Sequence, residues 1–236
     1  MDTKTRHALK HDALQDSAQT FIGWMQDNQR TVIISAIILA VVLIVGISAT
    51  AIYQHQQTQA QAAFGAAMET YLTPLAQAGS EQQPGLKTYP DAVARAKDAN
   101  AAFLKVADSY RWTSAGKNAE YFAGLTYMEM GQNADAESTL KQVADHGDKN
   151  LAALAQMALG ALAQQSGRTA DAIHIYQDLA KHPTTTVPAS QANLALAALY
   201  EKTNPQQARQ IYAAVKDADK DTAAGQIATQ KLAELH

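Results

Sequence analysis

From Thr31 to Tyr53 the chain reads TVIISAIILAVVLIVGISATAIY, apolar throughout and without a charge. As a helix this stretch is about 35 Å long, enough to cross a hydrocarbon core of about 30 Å, so the pattern predicts a transmembrane helix over 31–53. A helix from a soluble core would be shorter or would show a polar face. Beyond Tyr53 the character changes. Residues 54–77 are polar, rich in Gln and Ala, and helix-favouring, and read as a stalk continuing the membrane helix. Residues 78–85, AGSEQQPG, read as a flexible loop, so that 54–88 is stalk and loop.

Further on, small and large apolar residues recur at a spacing of 36. Ala136, Ala172 and Ala208 form one column, Leu140, Tyr176 and Tyr212 a second, and Val143, Leu179 and Val215 a third. Upstream, Gly124 and Gly160 align with Leu196, and Gly131 and Gly167 align with Thr203. The physical reading is a pair of antiparallel helices per repeat. A small residue at Gly124 and Gly160 lets two backbones approach. Gly131 and Gly167 end the first helix of each pair, because glycine accepts the left-handed backbone after a C-terminus. The Ala column marks where the second helix crosses the first, and the large residue four positions later fills the gap on the same face. One such pair cannot bury its apolar face alone, so copies stack.

The pattern predicts helices over 117–130 and 133–146, 150–166 and 169–181, and 188–202 and 205–217. Repeats then run 117–146, 150–181 and 188–217 within a domain covering 89–236, closed by a capping helix over 221–235. Asn204-Pro205 reads as an N-cap followed by proline in the first turn, and Asp221 as the cap of the last helix. Pro183 and Pro188 bracket the linker after the second repeat. A helix over 90–108 places Phe103, Leu104 and Ala107 in the same register, and with the stalk forms a divergent first repeat.

Composition narrows the function. The 19 basic and 22 acidic residues are spread along the chain, for a net charge of −3, and no basic cluster offers the counterion release that nucleic-acid binding needs. Cysteine is absent, which removes disulfides, thiolate catalysis and Cys-based zinc sites. His7 and His11 stand four apart without a third ligand, and His174 with Asp171 and Asp178 reads as a solvated helix face. No HExxH, GxxxxGK[ST], GxSxG or GxGxxG occurs. The expectation is a protein without catalytic residues, metal or cofactor.

Lys4, Arg6, Lys10 and Arg30 precede the apolar run, and the next basic residue is Lys87. The positive-inside rule places 1–30 in the cytoplasm and 54–236 across the membrane. The tail carries a short amphipathic helix whose Phe21 and Trp24 suit a membrane interface. Cleavage as a signal peptide is the alternative, since Ala49-Thr50-Ala51 has the small-x-small form. Against it stand a preceding segment with four acids and an apolar run longer than a signal core.

The columns Gly124, Tyr127, Gly131, Ala136 and Leu140 resemble the tetratricopeptide pattern, and Leu159, Gly160, Gly167, Ala172, Tyr176 and Pro183 repeat it. The second copy has Ala163 where an aromatic is usual, and the third lacks both glycines. The fold class expected is therefore all-α, one transmembrane helix followed by a tetratricopeptide-like helical-repeat solenoid. Mapped on that pattern, the first helices line a concave protein-binding groove. They offer Asn118, Tyr121, Leu125, Met128 and Glu129, then Leu154, Met157, Gln164 and Gln165, then Asn193 and Tyr200. Mixed polar and aromatic residues suit peptide segments bound with modest affinity.

The order of parts carries a second resemblance. An aromatic-bearing tail, Asp27-Asn28-Gln29-Arg30 before a single span, a Gln- and Ala-rich stalk and degenerate repeats are similar to the bacterial ancillary SecYEG translocon subunit family. That resemblance implies an inner-membrane protein with a periplasmic domain. The partners it implies are translocon subunits, periplasmic chaperones and client chains. An envelope assembly or division-linked scaffold would use the same repeats. The Ala-rich stalk also leaves room for a homo-oligomer.

Overall fold

The longest helix, α1, runs Gln29–Leu72. In the computed structural model, residues 24–25, 28–76 and 87–235 are described. The tail positions His7, His11 and Phe21 and the loop over 78–85 lie outside them. The chain divides into two compact units, 1–55 and 56–236.

In the first unit, the apolar half of α1 buries none of its large side chains; Ile33, Leu39, Ile44 and Ile47 are all more than half exposed. Among the described residues α1 is the one helix long and apolar enough to cross a membrane.

The second unit is all-helical. After residues 56–72 of α1 come α2 (Ala92–Ser109), α3 (Ser114–Glu129), α4 (Asn133–His146) and α5 (Lys149–Gln165). Then follow α6 (Thr169–Lys181), α7 (Ala189–Thr203), α8 (Pro205–Ala218) and α9 (Ala223–Glu234). From α2 onward each helix packs against the next. Among the described residues a single backbone bridge joins Leu75 and Tyr89, outside any named strand.

The helix ends follow local chemistry. Gly131 and Gly167 adopt φ of +72° and +76°, the only positive values among the described residues. Around them the Gln132 amide donates to the Tyr127 carbonyl, and the Arg168 amide to that of Ala163. These bonds satisfy carbonyls that the end of a helix leaves open. The third pair has Thr203 there and turns differently. Asn204 follows α7 directly, its side chain accepts from the Gln207 amide, and Pro205 opens α8. The last helix is capped by Thr222, not by Asp221 as the sequence reading expected: the Thr222 hydroxyl accepts from the Gly225 amide. A threonine oxygen reaches the third amide of the helix as readily as a carboxylate. The same device starts α3, where the Thr113 hydroxyl accepts from Gly116 at 3.0 Å.

Packing explains the small column. A Cβ added at Gly124 would lie 2.7 Å from two Leu140 side-chain carbons, and one at Gly160 would run into the Tyr176 ring. The third copy solves the same problem one position later. Ala197, fully buried, shares a cluster with Ala208, Tyr212 and Val215, while Leu196 turns into the neighbouring cluster with Tyr176 and Leu179.

The stalk's far end belongs to the stack. Ala60 and Ala67 are buried, and Phe64, Met68 and Tyr71 pack against Ala99, Phe103 and Val106 of α2. Phe64 and Tyr71 both face Phe103 and Phe122, with ring centroids 5.7 to 6.0 Å apart. Of the three residues expected in register, Phe103 is fully buried with Ala99 and Val106, and Ala107 packs against the same cluster, while Leu104 is left 37% exposed. Asn100 is buried too. Its amide donates to the Ala123 carbonyl and the Thr126 hydroxyl, both at 3.0 Å, which holds α2 to α3 without an orphaned polar group.

Candidate protein-binding surface

The eleven residues expected to line a groove separate into two sets. Tyr121, Leu125 and Met128 of α3 and Leu154 of α5 are half-buried on the cluster of Leu140, Val143, Leu151, Ala155 and Ala158. Leu154, Met157 and Tyr200 border the next cluster, around Tyr176 and Leu196. These six form an apolar seam along the first helices, each presenting part of its surface. Burial pushes the Tyr121 hydroxyl pKa up, so its proton stays in place at neutral pH. Tyr200 accepts a long hydrogen bond from the Gln177 amide at 3.5 Å.

The other five are polar. Asn118, Gln164 and Gln165 are exposed and Asn193 is half-buried. Glu129, at the end of α3, is already engaged. It accepts from the Tyr71 hydroxyl at 2.5 Å and pairs with Arg95 at 3.7 Å, and the Arg95 guanidinium lies 5.6 Å from the Tyr71 ring centre. Burial first, and the Glu129 contact second, raise the Tyr71 pKa to about 12. Glu129 thus ties the stalk end to the first full pair.

One concavity contains none of the eleven. A cavity of about 640 Å³ opens between the C-terminal half of α2, α3, α4 and the start of α5. Leu104, Ala107, Trp112, Val143 and Leu151 supply its apolar wall, with Arg111, Lys117, Glu120 and His146 among its polar groups. Trp112 is 80% exposed at the turn between α2 and α3. Burial raises the Glu120 pKa, against a smaller downward pull from His146 and Arg111. Helical periodicity could not locate this site, because it lies between elements. The available signal was a tryptophan in a short polar turn, where no helix face asks for one. Its volume falls within the range of about 300–1,000 Å³ usual for ligand clefts. Among the described residues no cluster of three or more His, Asp or Glu could hold a metal.

Antiparallel pairs, glycine turns at a fixed period and a small-against-large column define a stacked helical-repeat protein, a class whose exposed helix faces bind other proteins. The chain matches the tetratricopeptide repeat-like domain family over residues 23–236 and belongs to it. No curated protein and no solved structure matches the chain. Domains of this family are generally protein-binding scaffolds without catalysis.

Proposed function

We propose that this chain is a membrane-anchored interaction module serving the Sec translocon as an ancillary subunit or adaptor, helping to pass exported proteins to periplasmic chaperones. The observation behind the reading is α1 itself. Its first half has the length and apolarity of a membrane span, and its second half packs as the opening helix of the repeat stack. The translocon assignment draws on the resemblance in order of parts. The topology follows the positive-inside rule, with 1–30 cytoplasmic and the repeats periplasmic at the bacterial inner membrane. The apolar seam from Tyr121 to Tyr200, with Asn118, Gln164, Gln165 and Asn193 beside it, is the surface proposed for partners.

In-cell photocrosslinking tests this, with the probe at Tyr121 or Tyr200 and a control probe at Gln230 on α9. Channel subunits, periplasmic chaperones or exported chains captured from the seam and not from the control are the expected result. Capture of cell-wall or division proteins, or equal capture from all positions, would overturn the translocon assignment.

A further inference from the structure

Charge is distributed unevenly between the two helices of each repeat. Glu137 and Lys141 on α4, Asp171 and Asp178 on α6, and Arg209 and Lys216 on α8 keep the second helices charged. Residues 150–167 and 183–200 contain no Asp, Glu, Lys, Arg or His, and they supply nearly all of α5 and α7. Leu154, Met157 and Tyr200 from these runs border one core cluster and are half-buried on it. Carboxamides share their lines on the helix surface. At about 100° per residue, Gln164 stands within about 20° of Met157, Gln165 within about 20° of Leu154, and Asn193 within about 20° of Tyr200. Gln164 and Gln165 are exposed and Asn193 is half-buried. We infer, on the reading that this seam binds proteins and independently of the translocon assignment, that its α5 and α7 stretch takes an extended polypeptide segment free of charged side chains.

Each carboxamide offers both donors and an acceptor, so it can bond the N–H or C=O of an extended backbone whatever that segment's side chains are. Leu154, Met157 and Tyr200 add apolar area between such bonds. A charged side chain seated there would lose water and meet no opposite charge. The charges at the borders of the two runs are matched or turned away. Glu201 accepts from the Tyr212 hydroxyl at 2.7 Å and pairs with Lys231 at 3.3 Å. Arg168 pairs with Glu137 at 2.7 Å. By the helix period, Lys149 lies about 140° round α5 from Leu154, and Lys202 about 160° round α7 from Tyr200. On α3, Lys117 lies only about 40° from Tyr121, so the selection belongs to α5 and α7 and not to the first part of the seam. A hydrocarbon surface fits poorly, because it would leave the three carboxamides without partners.

The test uses the full chain in lipid nanodiscs and labelled twelve-residue peptides with blocked ends, read by fluorescence anisotropy against empty nanodiscs. One peptide alternates phenylalanine with serine and asparagine. Two others replace two of its serines with aspartate or with lysine, and a fourth replaces every phenylalanine with alanine. The neutral phenylalanine peptide should bind saturably, the aspartate and lysine peptides at least about fivefold more weakly, and the alanine peptide not at all. Affinity for the neutral peptide should stay within about twofold between low and high salt, since no ion pair is there to screen. Gln165→Glu, an isosteric change at an exposed position, should make the lysine peptide the tightest and its binding salt-sensitive. Gln191→Glu, about 180° round α7 from Tyr200, should leave the order unchanged. Absence of saturable binding, equal affinity for neutral and charged peptides, or a preference of the unaltered chain for either charge would overturn the inference. So would an order unmoved by Gln165→Glu or moved as far by Gln191→Glu. Displacement of the peptide by zwitterionic vesicles, or binding to nanodiscs holding one chain but not to those holding two, would also overturn it. Charged docking segments mapped on the partners crosslinked at Tyr200 in cells would overturn it and leave the proposed function standing. A neutral preference, with only cell-wall or division proteins captured in cells, would leave it standing and overturn the translocon assignment.

Discussion

Replacing Gly160 with alanine should destabilise the repeat stack, although alanine is the better helix former. Within a helix the exchange alone would stabilise by about 1 kcal/mol. Here the new methyl would collide with the Tyr176 ring, whose Cζ lies 2.8 Å and Cδ1 3.1 Å from the ideal Cβ position. Tyr176 is 2% exposed and has no room to withdraw. Either the ring leaves its rotamer or α5 and α6 separate, and overpacking of this kind costs about 1–3 kcal/mol. The collision therefore outweighs propensity in most of that range, leaving a net loss of up to about 2 kcal/mol. Urea unfolding of the full chain in detergent, followed at 222 nm, measures it. Gly65, also helical but with nothing within 4 Å of its Cβ position, is the control and should gain stability as alanine. A double-mutant cycle with Tyr176→Ala sharpens the test. That change alone should cost about 3–5 kcal/mol, and the pair should cost less than the sum by about 1 kcal/mol or more, because the methyl then fills vacated space. Stabilisation by Gly160→Ala as large as at Gly65, or strict additivity with Tyr176→Ala, would refute the close-approach argument.

At Gly131, substitution by alanine should cost about 1–2 kcal/mol through the left-handed backbone alone, since nothing lies within 4 Å of its Cβ position. The same loss at Gly167, read by thermal melts, checks that both turns are alike. The carboxyl of Glu120 has its pKa raised by burial. The folded state then holds this proton at pH values where the unfolded chain has released it, so its contribution to stability falls as pH rises above the ordinary glutamate range. Glu120→Gln should therefore raise the unfolding midpoint at pH 7 and lose that advantage near pH 4. Tyr71, raised to about 12, works by the same sign in alkali. Its contribution is intact below pH 10 and declines between pH 10 and 12, and Tyr71→Phe should flatten that decline in a pH-dependent melt.

Much of this architecture was legible from spacing. The glycine turns at 131 and 167 and the columns at 136, 140 and 143 are backbone and packing requirements that act within one pair, and they recur because each pair solves the same problem. Legibility failed where a neighbour decides. In the first pair Phe103 is buried as expected but Leu104 is not, because the aromatic cluster with Phe64 and Phe122 fixes which face of α2 is buried. The third copy moves its small residue to Ala197, so that Leu196 can fill the second repeat's cluster. Six of the eleven residues expected to line a groove are half-buried against the core clusters, since side chains at the edge of a helix face both pack and remain accessible. Glu129 was engaged by Tyr71 and Arg95, from segments 58 and 34 residues away in sequence, a pairing that no local pattern reports. The Trp112 cavity is formed by four helices and a turn, and no single segment carries its signature.

Anchoring is the claim on which the rest depends, and extraction tests it most directly. Membranes from cells expressing the full chain would be washed with alkaline carbonate, and the pellet and supernatant probed for the repeat domain. An uncleaved chain retained in the pellet, and released only by detergent, is the predicted result for α1 as a span. Release by carbonate, or a mature chain beginning near Ala51, would contradict the account and leave a soluble tetratricopeptide-like domain.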